Sequence, residues 1–154
     1  MSHLAGIFGC SGPRLTDDER AFFGEVRPWG FILFARTIAT ADQTRALIDS
    51  LRESVDDERA LVFVDQEGGR VQRLKPPLAR LRRPAEAFGA LYAQDPQGAA
   101  EAVRLNHRLI AQELLALGFD ADCAPCLDLR LPEGHGVIGD RAFGPQPPEV
   151  SMLG

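Results

Sequence analysis

Leu61-Val-Phe-Val-Asp65-Gln-Glu-Gly-Gly-Arg70-Val-Gln-Arg73 is the stretch on which the fold turns. Four apolar residues, two of them β-branched, run without a polar interruption into a carboxylate, a glycine pair and two arginines. A parallel strand covered on both faces reads as a continuous apolar run rather than an alternating one. The segment therefore predicts a buried strand that delivers polar groups to a loop, with a binding site at its C-terminal end.

Upstream, Ala5 to Cys10 predicts a short strand, and Thr16-Asp-Asp-Glu19 has the spacing of a capping box that opens a helix. That helix is expected to run to about Val26 and to stop before Pro28, since the residue preceding a proline is pushed out of the α region. Gly30 to Ala35 is a second apolar run of strand length, followed by Arg36-Thr-Ile as a loop. Thr40 can cap a helix whose Leu47, Ile48 and Leu51 recur at helical spacing. Ala60 to Val64 is the third strand.

Downstream, residues 66–84 are basic, contain prolines and lack periodicity, which is long for a simple strand-to-helix connection and typical of a loop carrying function. Asp95-Pro96 opens a helix that should bury Ala102, Val103, Leu109, Ile110, Leu114 and Leu117, with Gly118 as its left-handed terminator. Phe119 to Leu127 predicts a fourth strand, with Asp128 at its end as Asp65 stands on the third. Pro147 to Gly154 reads as the start of another helix.

Four strands alternating with three complete helices and the beginning of a fourth specify an α/β protein of parallel βα units. Both an open doubly wound sheet and a (β/α) barrel bind ligands at the edge where strands run into loops. Doubling four units in 154 residues gives roughly 300, the size of a full barrel. The fold expected is thus the N-terminal half of a (β/α)8 TIM barrel, with residues 1–154 as a single partial domain truncated at its C-terminal end. No repeat or linker divides the chain.

Composition bounds the function. With 45% hydrophobic and 25% charged residues the chain is a globular domain. A net charge of −5 argues against a nucleic-acid partner, because phosphate recognition needs a basic excess. The first ten residues lack a basic n-region and a long apolar core, and no run of about 18 apolar residues occurs anywhere, so a cytoplasmic protein without a membrane partner is expected. Three cysteines fit reduced thiols better than a disulfide framework.

Val64-Asp65-Gln-Glu-Gly-Gly-Arg70-Val-Gln-Arg73, Ala124-Pro-Cys-Leu-Asp128 and Ile138-Gly-Asp-Arg141-Ala-Phe-Gly144, together with the Gly30 to Arg36 strand, resemble the N-terminal catalytic domain of glycoside hydrolase family 3. Within it the chain is most similar to the bacterial β-N-acetylglucosaminidase (β-hexosaminidase) branch of peptidoglycan recycling. The resemblance spans essentially the whole chain. It implies a barrel that hydrolyses terminal N-acetylglucosamine with retention, on amino-sugar or muropeptide substrates, without a cofactor or metal. By motif position, Asp65 would accept hydrogen bonds from sugar hydroxyls while Arg73 and Arg141 would donate to the substrate. The residue chemistry agrees, since a carboxylate is acceptor-only and a guanidinium fork suits acceptor oxygens.

The chain departs from the family pattern in its catalytic segments. The Lys-His-Phe-Pro-Gly-His-Gly type of loop that supplies the family's acid/base histidine, and the segment with its nucleophilic aspartate, are expected beyond Gly154. His135, in Pro132-Glu-Gly-His-Gly136, echoes that loop but precedes the Ile138-Gly-Asp-Arg141 motif, so the role is not carried over. A non-catalytic carbohydrate-binding or regulatory half-barrel is the alternative, and open sheet edges would favour self-association in either case.

Other residues admit plainer readings. Glu67 and Arg70 are candidates for a supporting role behind the sugar-binding residues or, equally, for an ion pair with each other that braces the Gly68-Gly69 turn. Asp128 is a candidate supporting or strand-end residue. Asp65 and Asp128, on adjacent strand ends, could approach the roughly 5–5.5 Å of a retaining carboxylate pair, although the resemblance puts that chemistry elsewhere. Cys123-Ala-Pro-Cys126 matches a redox spacing, yet no helix begins there to lower a thiol pKa, and scattered His3, His107 and His135 offer no zinc ligand set. His107 reads as a satisfied helix residue and Arg80-Leu-Arg-Arg83 as a solvated loop.

Overall fold

The structure, a computed structural model, describes residues 3–154. They cluster into two compact units, one running up to Val64 and including Glu113–Asp122, the other Asp65–Gln112 with Cys123–Gly154. The chain crosses from one to the other at the ends of two strands and once within a helix.

In the first unit, β1 (Leu4–Phe8) leads to α1 (Asp17–Val26), whose capping box forms as its sequence specifies. Thr16 Oγ1 accepts from the Glu19 N–H at 3.1 Å, and Glu19 Oε2 accepts from the Thr16 N–H at 2.9 Å. The helix stops at Arg27, which is left-handed at φ 46°, just ahead of Pro28. β2 (Pro28–Leu33) follows, then α2 (Ala41–Ser54), capped by Thr40 and burying Leu47, Ile48 and Leu51, then β3 (Leu61–Val64).

The second unit opens with β4 (Gln66–Gly68) and β5 (Val71–Gln72), an antiparallel hairpin inside what the sequence presents as an aperiodic loop. It continues through α3 (Ala85–Tyr92) and most of α4 (Pro96–Leu115). The chain then forms β6 (Ala121–Asp122) in the first unit and closes with α5 (Pro147–Leu153) in the second. Ala99, Val103, Phe143, Val150 and Leu153 form the second unit's apolar cluster, with Phe88, Tyr92 and Leu129 against it.

Four strands make one parallel sheet in the order β1-β2-β3-β6. A doubly wound sheet reverses its strand order at a switch point; this one does not, and single-direction winding is that of a barrel. The register places Leu33 beside Val64 and Val64 beside Asp122, so β3 lies inside the sheet. Phe23 of α1 meets Phe31 of β2 edge-on at 5.1 Å between ring centres, which seats that helix on the sheet.

Several local expectations are corrected. The strand predicted over Phe119–Leu127 shrinks to two residues, and Pro125, which has no N–H to give a ladder, lies in the part that is irregular. Leu109 is 47% exposed rather than buried, while Val103 and Ile110 define the covered face of α4. Burial in β3 alternates: Val62 and Val64 are fully buried, Leu61 and Phe63 only partly. α3 has no clear signature in the sequence because Ala85-Glu-Ala-Phe-Gly-Ala-Leu-Tyr92 is apolar nearly all round and holds a glycine. Gly89 is there for contact: a Cβ would lie 1.7 Å from the Phe143 carbonyl oxygen.

Candidate functional site

The hairpin after β3 builds the site. In extended backbone successive side chains alternate, so Asp65 and Glu67 share one face while Gln66 takes the other. Burial follows that pattern, with Gln66 fully covered and both carboxylates partly open.

Each carboxylate clasps an arginine. Arg73 donates from Nε at 3.2 Å and from Nη2 at 2.6 Å to Asp65 Oδ2. A carboxylate offers about four lone-pair positions, so two bonds on one oxygen leave acceptor capacity for a diol. Arg141, in a 3-10 turn at Gly139–Arg141, meets Glu67 bidentately, Nε to Oε2 at 2.9 Å and Nη2 to Oε1 at 2.7 Å. The Glu67 hydrogen bonds raise the Arg141 pKa further above its already high ordinary value, against the opposing effect of burial. This guanidinium is permanently charged and fixed in plane.

Glu67 and Arg70 do not pair with each other, which corrects the turn-bracing expectation. Arg70 instead reaches the 136–140 segment, its Nε on Asp140 Oδ1 at 2.7 Å and its Nη2 on the carbonyls of Gly136, Val137 and Ile138 at 3.3, 2.5 and 2.9 Å. The turn is braced otherwise. Gly68 (φ 100°) and Gly69 (φ 57°) supply its left-handed residues, the Gly69 N–H donates to Arg82 O at 3.0 Å, and a Cβ on Gly68 would sit 2.4 Å from the Arg83 carbonyl.

Behind the hairpin lie two buried amides to which no motif assigns a role. Gln66 Oε1 accepts from the Arg73 and Leu74 N–H groups and its Nε2 donates to Leu74 O. Gln72 donates to the carbonyls of Leu74 and Arg80 and accepts from the Arg82 N–H. Together they fix the path of residues 73–82 and the direction in which Arg73 leaves the chain. The signal available was their position, one before and one after the Glu-Gly-Gly-Arg turn.

Asp128 is exposed, accepts from the Cys126 thiol at 3.3 Å, and lies close enough to Arg141 to act on it electrostatically. Burial pushes the Cys126 thiol up, and the Asp128 carboxylate adds to the effect. A thiol held protonated is a poor redox nucleophile. His135 is engaged locally, its Nδ1 accepting from the Val137 N–H at 3.0 Å, and His107 Nδ1 lies 3.1 Å from Val103 O within α4. Arg80, Leu81 and Arg83 are exposed. Among the described residues no group of three or more His, Cys, Asp or Glu side chains converges as metal ligands would, and no helix is long and apolar enough to cross a membrane. The arrangement fixes carboxylate acceptors and guanidinium donors side by side, a geometry that can orient a polyhydroxylated ligand.

The pattern of the Glycosyl hydrolase family 3 N terminal domain matches residues 14–154. The chain is 39% identical over 147 residues to a beta-hexosaminidase of Xanthomonas campestris pv. campestris (strain B100), covering 96% of this chain and 43% of that protein. It is 42% identical over 153 residues to a beta-hexosaminidase of Alkalilimnicola ehrlichii, covering 96% of this chain and 41% of the relative. Among solved structures it is similar to NagZ from Neisseria gonorrhoeae in complex with N-trifluoroacetyl-D-glucosamine, with a TM-score of 0.88 and 30% identity over 98% of this chain and 43% of that one. The chain therefore spans less than half the length of the relatives it matches.

Proposed function

This chain belongs to the glycosyl hydrolase family 3 N-terminal domain family, and on that premise we propose that it supplies the sugar-holding wall of a β-N-acetylhexosaminidase acting on terminal N-acetylglucosamine of peptidoglycan-derived sugars in the cytoplasm. The observation that carries the reading is the pair of carboxylate–guanidinium clasps on one hairpin, Asp65 with Arg73 and Glu67 with Arg141. Asp65 accepts from sugar hydroxyls, and Arg73 and Arg141 donate to ring substituents or the acetamido oxygen. Glu67 holds Arg141 in plane, and Asp128 supports it through its charge. The relative complexed with N-trifluoroacetyl-D-glucosamine supports the choice of sugar.

In this reading residues 1–154 orient substrate without transforming it. Each carboxylate of the two pairs is engaged by its own arginine, an arrangement suited to holding a ligand, and His135 Nδ1 accepts from the Val137 N–H within its own turn. The 154-residue chain is expected to bind N-acetylglucosamine and to release no chromophore from a nitrophenyl N-acetylglucosaminide. Steady-state turnover that tracks with the protein and survives His135→Ala would overturn this reading. In calorimetry Arg73→Ala should weaken N-acetylglucosamine binding about tenfold or more, as loss of a charge-assisted hydrogen bond does. Equal affinity in wild type and variant removes Arg73 from the site.

A further inference from the structure

We infer that Arg70 is a positioning residue: it clamps the Gly136–Asp140 segment and thereby fixes where the Arg141 guanidinium is presented. The inference rests on the proposed sugar-binding role of Arg141 for its functional meaning, but its physical content stands on the hydrogen bonds alone.

The exposed part of the segment has few other anchors among the described residues, while its end at Gly139–Arg141 packs beside α3. Residues 133–137 are all exposed, and among the described residues the backbone within 131–142 forms short-range turns, Gly134 N to Leu131 O, Ile138 N to His135 O, Arg141 N to Ile138 O and Ala142 N to Gly139 O. Exposed loops with few buried contacts open readily. Against that tendency one guanidinium gathers three consecutive carbonyls on Nη2 and the Asp140 carboxylate on Nε. Three carbonyl dipoles converging on one cation form a small electronegative cup, and only a planar fork can fill it while also meeting a carboxylate side-on; the point charge of a lysine cannot do both. Space at the contact is matched as well. Gly139 (φ 46°) faces the same guanidinium, and a Cβ there would lie 3.2 Å from Arg70 Nη2.

Arg141 follows Asp140 directly, so the clamp ends one residue before the side chain it serves. The hairpin then grips the segment at two points, Arg70 on the loop and Glu67 on Arg141, from residues only three apart in sequence. Glu67 alone would hold a guanidinium whose backbone swings; Arg70 removes that freedom. Preorganisation of this kind lowers the ordering cost of binding.

The test uses the 154-residue chain with Arg70→Met, Arg70→Lys and Arg141→Met. Three readouts are taken: backbone amide exchange over 134–141, the side-chain Nε–H resonance of Arg141, and N-acetylglucosamine affinity. For Arg70→Met, amide exchange in the segment is expected to rise about tenfold or more while that of β2 and β3 is unchanged. The Arg141 Nε–H signal should broaden or vanish, and affinity should fall several-fold. Arg70→Lys should lie between wild type and Arg70→Met in all three. Arg141→Met should abolish affinity while leaving exchange of the Val137 and Ile138 amides as in wild type. Unchanged exchange, or an intact Arg141 signal in Arg70→Met, overturns the inference. If wild type shows no sugar affinity but Arg70→Met still loses loop protection and the Arg141 signal, the clamp is upheld and the sugar-binding reading fails instead.

Discussion

Asp65 and Glu67 stand two apart so that both lie on the more open face of the hairpin, and the residue between them is turned inward. Gln66 is 1% exposed and satisfies the N–H groups of Arg73 and Leu74 and the carbonyl of Leu74. Gln66→Leu keeps the volume and removes the amide, stranding buried backbone groups at about 1–3 kcal/mol. Thermal unfolding should show a lower midpoint, and sugar affinity should fall with it, because the Arg73 backbone loses its anchor. An unchanged midpoint would mean that water replaces the amide and that Gln66 is not the organiser of the hairpin. The sequence singles out Asp65, Arg73 and Arg141 through their motifs, and the structure pairs Arg73 with Asp65 and Arg141 with Glu67. The partners of Glu67 and Arg70 were not legible in the sequence, since these bonds span 66 to 74 residues and no local pattern encodes them.

At the scale of elements, α3 and α1 make opposite demands on their sequences. In an ordinary helix interior, glycine to alanine stabilises by about 1 kcal/mol. In α3, Gly89→Ala should destabilise by about 1–3 kcal/mol instead, because the new methyl meets the Phe143 carbonyl and the helix must shift. Chemical denaturation reads the sign directly, and a more stable variant would show that α3 has room. In α1 the capping box couples stability to pH. Burial works against ionised Glu19, yet the backbone N–H groups of Thr16 and Ser11 outweigh it and hold the carboxyl below its ordinary range. A depressed folded pKa adds stability above the unfolded value and loses it as pH falls through the folded one. The midpoint difference between wild type and Glu19→Gln should thus be full above about pH 4.3 and close below it. A constant difference down to strong acid would detach the effect from Glu19 ionisation. The capping box was readable because all its parts lie within four residues; α3 was not, because its helical state depends on what it packs against.

At the scale of the whole molecule the sheet has β1 and β6 as edges, each paired on one side only. Ile7 at 45% and Trp29 at 49% exposure line an open cleft with His3, Ala5 and Gly6. Unpaired edges next to apolar surface favour association. The 154-residue chain is expected to self-associate in light scattering and to bind a hydrophobic dye, with Trp29→Glu reducing both. A monodisperse, cooperatively unfolding monomer that ignores the dye would contradict this. The continuous apolar runs of β2 and β3 anticipated cover on both faces. In β3, Val62 and Val64 are fully buried while Leu61 and Phe63 stay partly open, so the two faces of that strand are unequally covered.

The sequence by itself determined the succession of βα units, the caps of α1 and α2, and the delivery of Asp65 from the end of β3. Each of these depends on hydrophobic period, cap chemistry or strand polarity within a few residues. Only the tertiary structure cut the fourth strand to two residues and turned an aperiodic loop into a hairpin held by two buried amides. It also sent Glu67 to Arg141 and Arg70 to the 136–140 segment. Those outcomes are set by which distant backbone groups and charges the folded chain brings within hydrogen-bonding distance, and spacing along the chain carries no record of that.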